Sequence, residues 1–150
     1  MITQHISRTV HINAPIENVF SALIDWQNQS KWIFATKVKA MKNDGKGIGG
    51  TILARTAIGP FGFNDPMTIT KWQPPYRCDV LHTGCVVKGT GAFIVEAISS
   101  DVSIFTWAEE TIVPLGVFGR IGWQVVKFPA GSALSWSLRR FKKWVESSSL

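Results

Sequence analysis

Apolar and polar residues alternate with a period of two along most of the chain, and fall at helical spacing only near its start and over its last third. His5, Ser7, Thr9, His11 and Asn13 alternate with Ile6, Arg8, Val10 and Ile12, which predicts a strand with both histidines turned away from the core. Ala14-Pro15 then opens a helix, with Pro15 at its first position, Glu17 in its first turn, and Ile16, Val19, Phe20, Leu23 and Ile24 on the buried face. After a bend at Asp25, the run from Trp26 to Trp32 reads as a second, shorter helix. Its two tryptophans either cap the core or line the mouth of a pocket.

From Ile33 onward the signals are strands joined by short turns. Phe34 to Met41 is followed by the turn signature Asn43-Asp44-Gly45, and Thr51 to Ile58 by Gly59-Pro60, which predicts a meander. In the next strand, Phe61 to Trp72, Asp65, Met67 and Ile69 share one parity while Thr68, Thr70 and Trp72 share the other. Pro74-Pro75 ends it, because proline cannot donate to a sheet ladder. Between Tyr76 and Gly84, solvated Arg77 and Asp79 turn Cys78, Val80 and His82 inward. From Val87 to Ile98, Val87, Phe93 and Val95 face inward against Lys88, Thr90 and Glu96, and Gly89 and Gly91 mark a bend or a close backbone approach. The last strand, Val102 to Val113, carries Phe105, Trp107 and Glu109 on one face, opposed by Ile104, Ala108 and Ile112.

Pro114 to Leu150 reads as one long amphipathic helix. Leu134, Leu138, Phe141 and Val145 form a continuous stripe, and Val117, Ile121, Val125 and Phe128 repeat its steps upstream. Pro129 and Gly131 between the halves predict a break or kink. The order is therefore strand, two short helices, about six consecutive antiparallel strands and a long helix. This is an α+β arrangement in which a curved antiparallel sheet of about seven strands wraps around the C-terminal helix.

Composition narrows the classes. The 150 residues, 45% of them apolar, suit one domain over residues 1–150 with a core that needs no metal or disulfide staple. No apolar run approaches the roughly 18 residues of a membrane span, and the start has no apolar segment of a secretory signal, so a cytoplasmic location is expected. Cys78 and Cys85, if on one strand, stand about 23 Å apart at roughly 3.3 Å per residue, too far for a disulfide. Free thiols are expected, and neither a zinc site nor any other metal or cofactor site is indicated. The net charge of +6 is spread thinly except at Arg139, Arg140, Lys142 and Lys143, where cations also suit a helix C-terminus, so nucleic acid is not an expected partner. Gly45-Lys46-Gly47-Ile48-Gly49-Gly50 satisfies G-x-G-x-x-G, but a strand-like segment follows it instead of a helix, so these are turn glycines and not a nucleotide cradle.

Several short motifs, taken in order, carry a resemblance. They are Ala14-Pro15-Ile16-Glu17-Asn18-Val19-Phe20, Gly59-Pro60-Phe61-Gly62-Phe63 through Asp65-Pro66-Met67, His82-Thr83-Gly84, Trp107-Ala108-Glu109-Glu110, Pro114-Leu115-Gly116 and Ser137-Leu138-Arg139-Arg140-Phe141. With their spacing, the chain resembles the START-like, helix-grip superfamily, often labelled SRPBCC. The closest likeness is to its polyketide cyclase/dehydrase and lipid-transport family, in a subgroup common in actinobacteria. The resemblance implies a hollow between sheet and C-terminal helix that holds a hydrophobic small molecule, and implies no single chemistry.

Nine phenylalanines and seven tryptophans can line such a hollow or simply fill it. On the first reading Trp26, Trp32, Phe63, Asp65, Met67, Ile69, Val80, Phe93, Phe105, Trp107, Phe128, Leu134, Leu138 and Phe141 contact a lipid- or polyketide-like ligand. An enzyme would need an acid and a base over the substrate, and inward His82 and Glu109 are the candidates for a cyclase, aromatase or dehydratase. Burial and pairing would shift their pKa values in opposite senses. The plainer alternative is a buried histidine tied to a carboxylate that joins strands. Asp65 is expected at a turn or strand end. A third class is peripheral contact with an anionic membrane surface or a partner through Trp136, Arg139, Arg140 and Lys143.

Overall fold

The computed structural model describes residues 2–113 and 116–148, and within them the side chains except those at 2, 113, 116–120, 123, 125, 126 and 128. Val117, Val125 and Phe128 thus lie outside the described side chains. Seven antiparallel strands form one sheet: β1 (Ile2–Ile12), β2 (Thr36–Ala40), β3 (Thr51–Ile58), β4 (Phe61–Gln73), β5 (Arg77–His82), β6 (Gly89–Ala97) and β7 (Ser103–Val113). Their spatial order is β1-β7-β6-β5-β4-β3-β2, a meander whose first strand returns to lie beside the last. Helix α1 (Ile16–Leu23) and a 3₁₀ helix (Trp26–Lys31) bridge the two edge strands, and α2 (Gly116–Ser148) follows the sheet. The α+β architecture is as the residue pattern predicts, and it is the helix grip that the resemblance implies.

The helical stripes account for the core. Ile16, Val19, Phe20 and Leu23 of α1 are buried, and so are Leu134, Leu138, Phe141 and Val145 of α2. Trp32, fully buried, stands at the centre of an aromatic cluster. Its ring lies 4.7 Å from Phe141, 5.8 Å from Trp107, 6.1 Å from Phe93 and 6.4 Å from Phe105. The Trp32 indole N–H is the one buried side-chain polar atom without a partner among the described residues. Polar ties fix the C-terminal half of α2. Ser137 Oγ accepts the Phe34 N–H, Arg140 donates to the Lys31 carbonyl, Lys142 to the His11 carbonyl, and Glu146 accepts the Asn13 N–H. Two of the four clustered cations, Arg140 and Lys142, are therefore joined to the fold itself.

Local details depart from the expected pattern. Pro15 is the N-cap of α1, with extended backbone, one position before the helix proper. The helical run of α2 is unbroken through Pro129, because a single proline removes one backbone donor while the ladder on either side persists. Ala35 has a positive φ, so β2 starts at Thr36 and not Phe34. Trp72 does not share the outward face of Thr70. The register of β4 on β5 slips between Ile69 and Lys71, one extra residue is accommodated, and Trp72 returns to the core side, edge-on to Phe20. Arg77 and Asp79 pair at 2.7 Å on the outer face of β5.

Phe141→Ala removes the ring closest to Trp32, so unfolding in urea is expected to show a loss of about 3–5 kcal/mol. Trp136→Ala, on the opposite side of α2 and 37% exposed, is expected to cost about 1 kcal/mol or less. Equal losses would mean that α2 is not seated by its apolar stripe.

Candidate functional site

The inner face of the sheet is not filled everywhere. A cavity of about 210 Å³ lies over β2 to β7 under the 3₁₀ helix, with walls that are mainly apolar. Alternation places its lining. Thr36 and Val38 of β2, Ile52, Ala54 and Thr56 of β3, Asp65 and Met67 of β4, and Cys78, Val80 and His82 of β5 occur at steps of two. Phe93, Trp107 and Glu109 complete the far wall, and Trp26, Gln29 and Ile33 come from the 3₁₀ helix and the chain just after it. Trp26 is locked by its indole N–H to the Gly45 carbonyl at 2.8 Å. Gly45 has a φ of +64°, and a Cβ there would lie 2.5 Å from the Trp26 indole nitrogen, so the Asn43-Asp44-Gly45 turn requires glycine at its end.

One end of the cavity is polar. His82 Nδ1 lies 2.8 and 3.0 Å from the two oxygens of Asp65, and His82 Nε2 lies 3.0 Å from Glu109 Oε2. Trp107 Nε1 donates to Glu109 Oε1 at 2.7 Å. Asp65 reaches His82 from the neighbouring strand, two residues before Met67, which is directly opposite His82. Glu109 lies two strands away, across β6, where its register partner is Gly91. The absence of a side chain at Gly91 opens the passage: a Cβ there would lie 2.8 Å from Glu109 Oε1. Burial opposes charge on the imidazole, but hydrogen bonds to Asp65 and Glu109, with the charges of both, outweigh it and raise the His82 pKa to about 9. At neutral pH His82 is an imidazolium with both N–H groups on carboxylates. Cys78, deeper in the wall, is pushed up to about 12 by burial and then by Asp79, so it stays a thiol.

The expected site residues divide into two groups. Trp26, Asp65, Met67, Val80, His82, Phe93, Trp107 and Glu109 line the cavity. Trp32, Ile69, Phe105, Leu134, Leu138 and Phe141 are buried in the core, where the rings of Trp32 and Phe105 pack against Phe141 of α2. Phe63 shares the inward parity of β4 but lies toward the β3–β4 hairpin, outside the lining, and the Phe128 side chain is outside the described residues. None of the Leu134 to Phe141 stripe is among the described lining residues. Among the described residues the cover of the cavity is the 3₁₀ helix. Asp65 is neither a turn nor a strand-end group. It is buried within β4, opposite Ala54. The cavity is also lined by Gln29, Ile33, Thr36, Val38, Ile52, Ala54, Thr56, Cys78, Gly91 and Ala92, which are outside the expected set, although the step-of-two parity in β2, β3 and β5 carries the signal for most of them.

Other sequence features resolve simply. Gly47 and Gly49 have positive φ and lead into β3, as turn glycines do. Trp136 packs edge-on to Phe34 at 5.5 Å and under Arg140 at 4.7 Å, so its ring already has neighbours from its own chain. Among the described residues, no helix is long and apolar enough to cross a membrane, and no group of His, Cys, Asp and Glu is arranged to hold a metal ion.

No family model and no curated relative matches the chain. Solved structures do. The Zhui aromatase/cyclase from Streptomyces sp. R1128 aligns with a TM-score of 0.80 at 11% identity, over 97% of this chain and 94% of that one. The protein TTHA0849 from Thermus thermophilus aligns at 0.81 and 11%, over 98% and 100%. A point mutant of norcoclaurine synthase from Thalictrum flavum, in complex with a transition-state analogue, aligns at 0.72 and 12%, over 99% and 98%. These likenesses span nearly the full length of each chain, and the fold they share with it is a helix grip.

Proposed function

We propose that this chain binds a small, largely apolar ring compound in the cavity over β2 to β7, with the Asp65–His82–Glu109 group meeting its polar end. The observation that carries this reading is a hollow of about 210 Å³ with mainly apolar walls and three ionisable groups at one end. An apolar cavity of about 150 Å³ holds benzene in another protein, so one or two rings match the space better than a long acyl chain. Aromatic walls with a few polar groups at one end are the usual make-up of a small-molecule site. The neighbours' printed names, an aromatase/cyclase and norcoclaurine synthase, are compatible with such a ligand.

Conversion of the ligand is the second reading, and the lining position of Glu109 favours it. His82 and Glu109 were the expected acid and base of a cyclase, aromatase or dehydratase. The roles become unequal, because an imidazolium with both protons engaged can donate but not accept. Glu109, whose oxygens retain lone pairs toward the cavity, is the base of the pair. A carrier would show no turnover in either form, and Glu109→Gln would change only how tightly the ligand is held. An enzyme with the same substitution would hold it and lose turnover by about 100-fold or more.

Native mass spectrometry of freshly purified protein, followed by extraction, is expected to find a co-purifying compound of one or two rings. Ala54→Phe, which projects a ring into the hollow, should abolish it while thermal unfolding stays cooperative. Retention of the compound in that variant would put binding elsewhere. The charge state has its own signature. Because the His82 pKa is raised from 6.5 to about 9, the stabilisation it reports, roughly 3 kcal/mol, is full below pH 6.5 and is lost as pH rises through 9. The stability of the wild type should fall more steeply than that of His82→Gln between pH 6.5 and 9.5. Parallel slopes would contradict the assignment.

A further inference from the structure

The donors and acceptors around the cavity are unevenly distributed. Trp26 Nε1 is engaged by the Gly45 carbonyl, and Gln29 Nε2 donates to the Leu23 carbonyl. Thr36 Oγ1 donates to the Phe34 carbonyl, which leaves Thr56 as the donor in the 2.9 Å bond between the two hydroxyls. Both N–H groups of His82 and the N–H of Trp107 end on Asp65 and Glu109. Among the described lining side chains, the donors left are the second N–H of Gln29 and the weak S–H of Cys78. Acceptors are in surplus. Each of the four carboxylate oxygens takes a bond from His82 or Trp107 and retains a further lone pair.

Charge points the same way. Two carboxylates flank one imidazolium, which leaves a net charge of minus one at the polar end, and no lysine or arginine is among the described lining residues. In an apolar hollow such a charge is poorly screened, and an acceptor brought against it would face oxygen with oxygen.

We infer that the cavity selects ring compounds that present a hydrogen-bond donor to the Asp65–His82–Glu109 end, above all a cationic amine, and rejects carboxylates. This rests on the proposed reading of the cavity as a binding site and specifies its ligand class. A ligand N–H or O–H between Asp65 and Glu109 would use their remaining lone pairs, and an ammonium would also balance the residual charge. A ligand carbonyl oxygen at the same place finds no free donor, so activation of a ketone by His82 would first have to break one of its carboxylate bonds.

Isothermal titration of the purified protein with four single-ring probes of similar size tests this: 4-methylbenzylamine, 4-methylphenol, 4-methylanisole and 4-methylbenzoate. The amine and the phenol are expected to bind at least 10-fold tighter than the anisole, and the benzoate to give no detectable heat. In Glu109→Gln, checked for native circular dichroism, the advantage of the amine over the anisole should shrink by about 10-fold. Anisole binding as tightly as phenol, or benzoate binding best, overturns the inference while leaving a ligand-binding cavity in place. Failure of all four probes to bind overturns the cavity reading together with the inference.

Discussion

A buried imidazolium held between two carboxylates on different strands is the interaction around which the open part of this fold is arranged. His82 on β5 bonds Asp65 on the adjacent β4 and Glu109 on β7, and the strand between β5 and β7 has Gly91 at the crossing point. A Cβ at Gly91 would press on the Glu109 carboxylate and displace it from His82 Nε2, leaving the buried ring with Asp65 as its one carboxylate partner. The glycine and the three ionisable residues thus form one unit. Each carboxylate is tolerable there because the ring between them is charged, and the ring is charged because both carboxylates are there.

The rest of the interior divides around that unit. Toward the C-terminal half of α2, Trp32 meets four aromatic rings and the helix is tied to β1 and to the segment after the 3₁₀ helix. Toward β2 and β3 the inward residues become small, with Val38, Ala54 and Thr56 where the other end has rings, and the sheet and its cover separate. Trp107 belongs to both regions. Its ring meets Trp32 in a T-shaped contact, and its N–H donates to Glu109. The aromatic half therefore serves as the support on which the polar end of the cavity is built.

Much of this arrangement is readable from residue spacing. Period-two alternation turns Cys78, Val80 and His82 inward and groups Phe105, Trp107 and Glu109, and the helical stripe of α2 marks its buried face. Three features are not readable, each for a local reason. The slip between Ile69 and Lys71 reverses the parity of Trp72, and a bulge leaves no mark in an otherwise regular strand. Asp65 precedes a proline and follows an asparagine, which resembles a turn, yet its parity with Met67 is the better guide. The position of the hollow depends on how Trp32 packs, and a tryptophan that fills a core has the same sequence signature as one that lines a pocket. Gly91 reads as a bend or a close approach, but only three-dimensional register shows that what approaches is the carboxylate of Glu109.

The protonation state of His82 is the point on which both the architecture and the chemistry turn, and it is open to direct observation. Long-range proton–nitrogen NMR on uniformly labelled protein, with the ring assigned by its loss in His82→Gln, reads both imidazole nitrogens. At pH 7.5 both are predicted to show protonated, imidazolium shifts and to titrate together near pH 9. A neutral tautomer at pH 7.5, with one bare nitrogen and a midpoint near 6.5, would contradict the account.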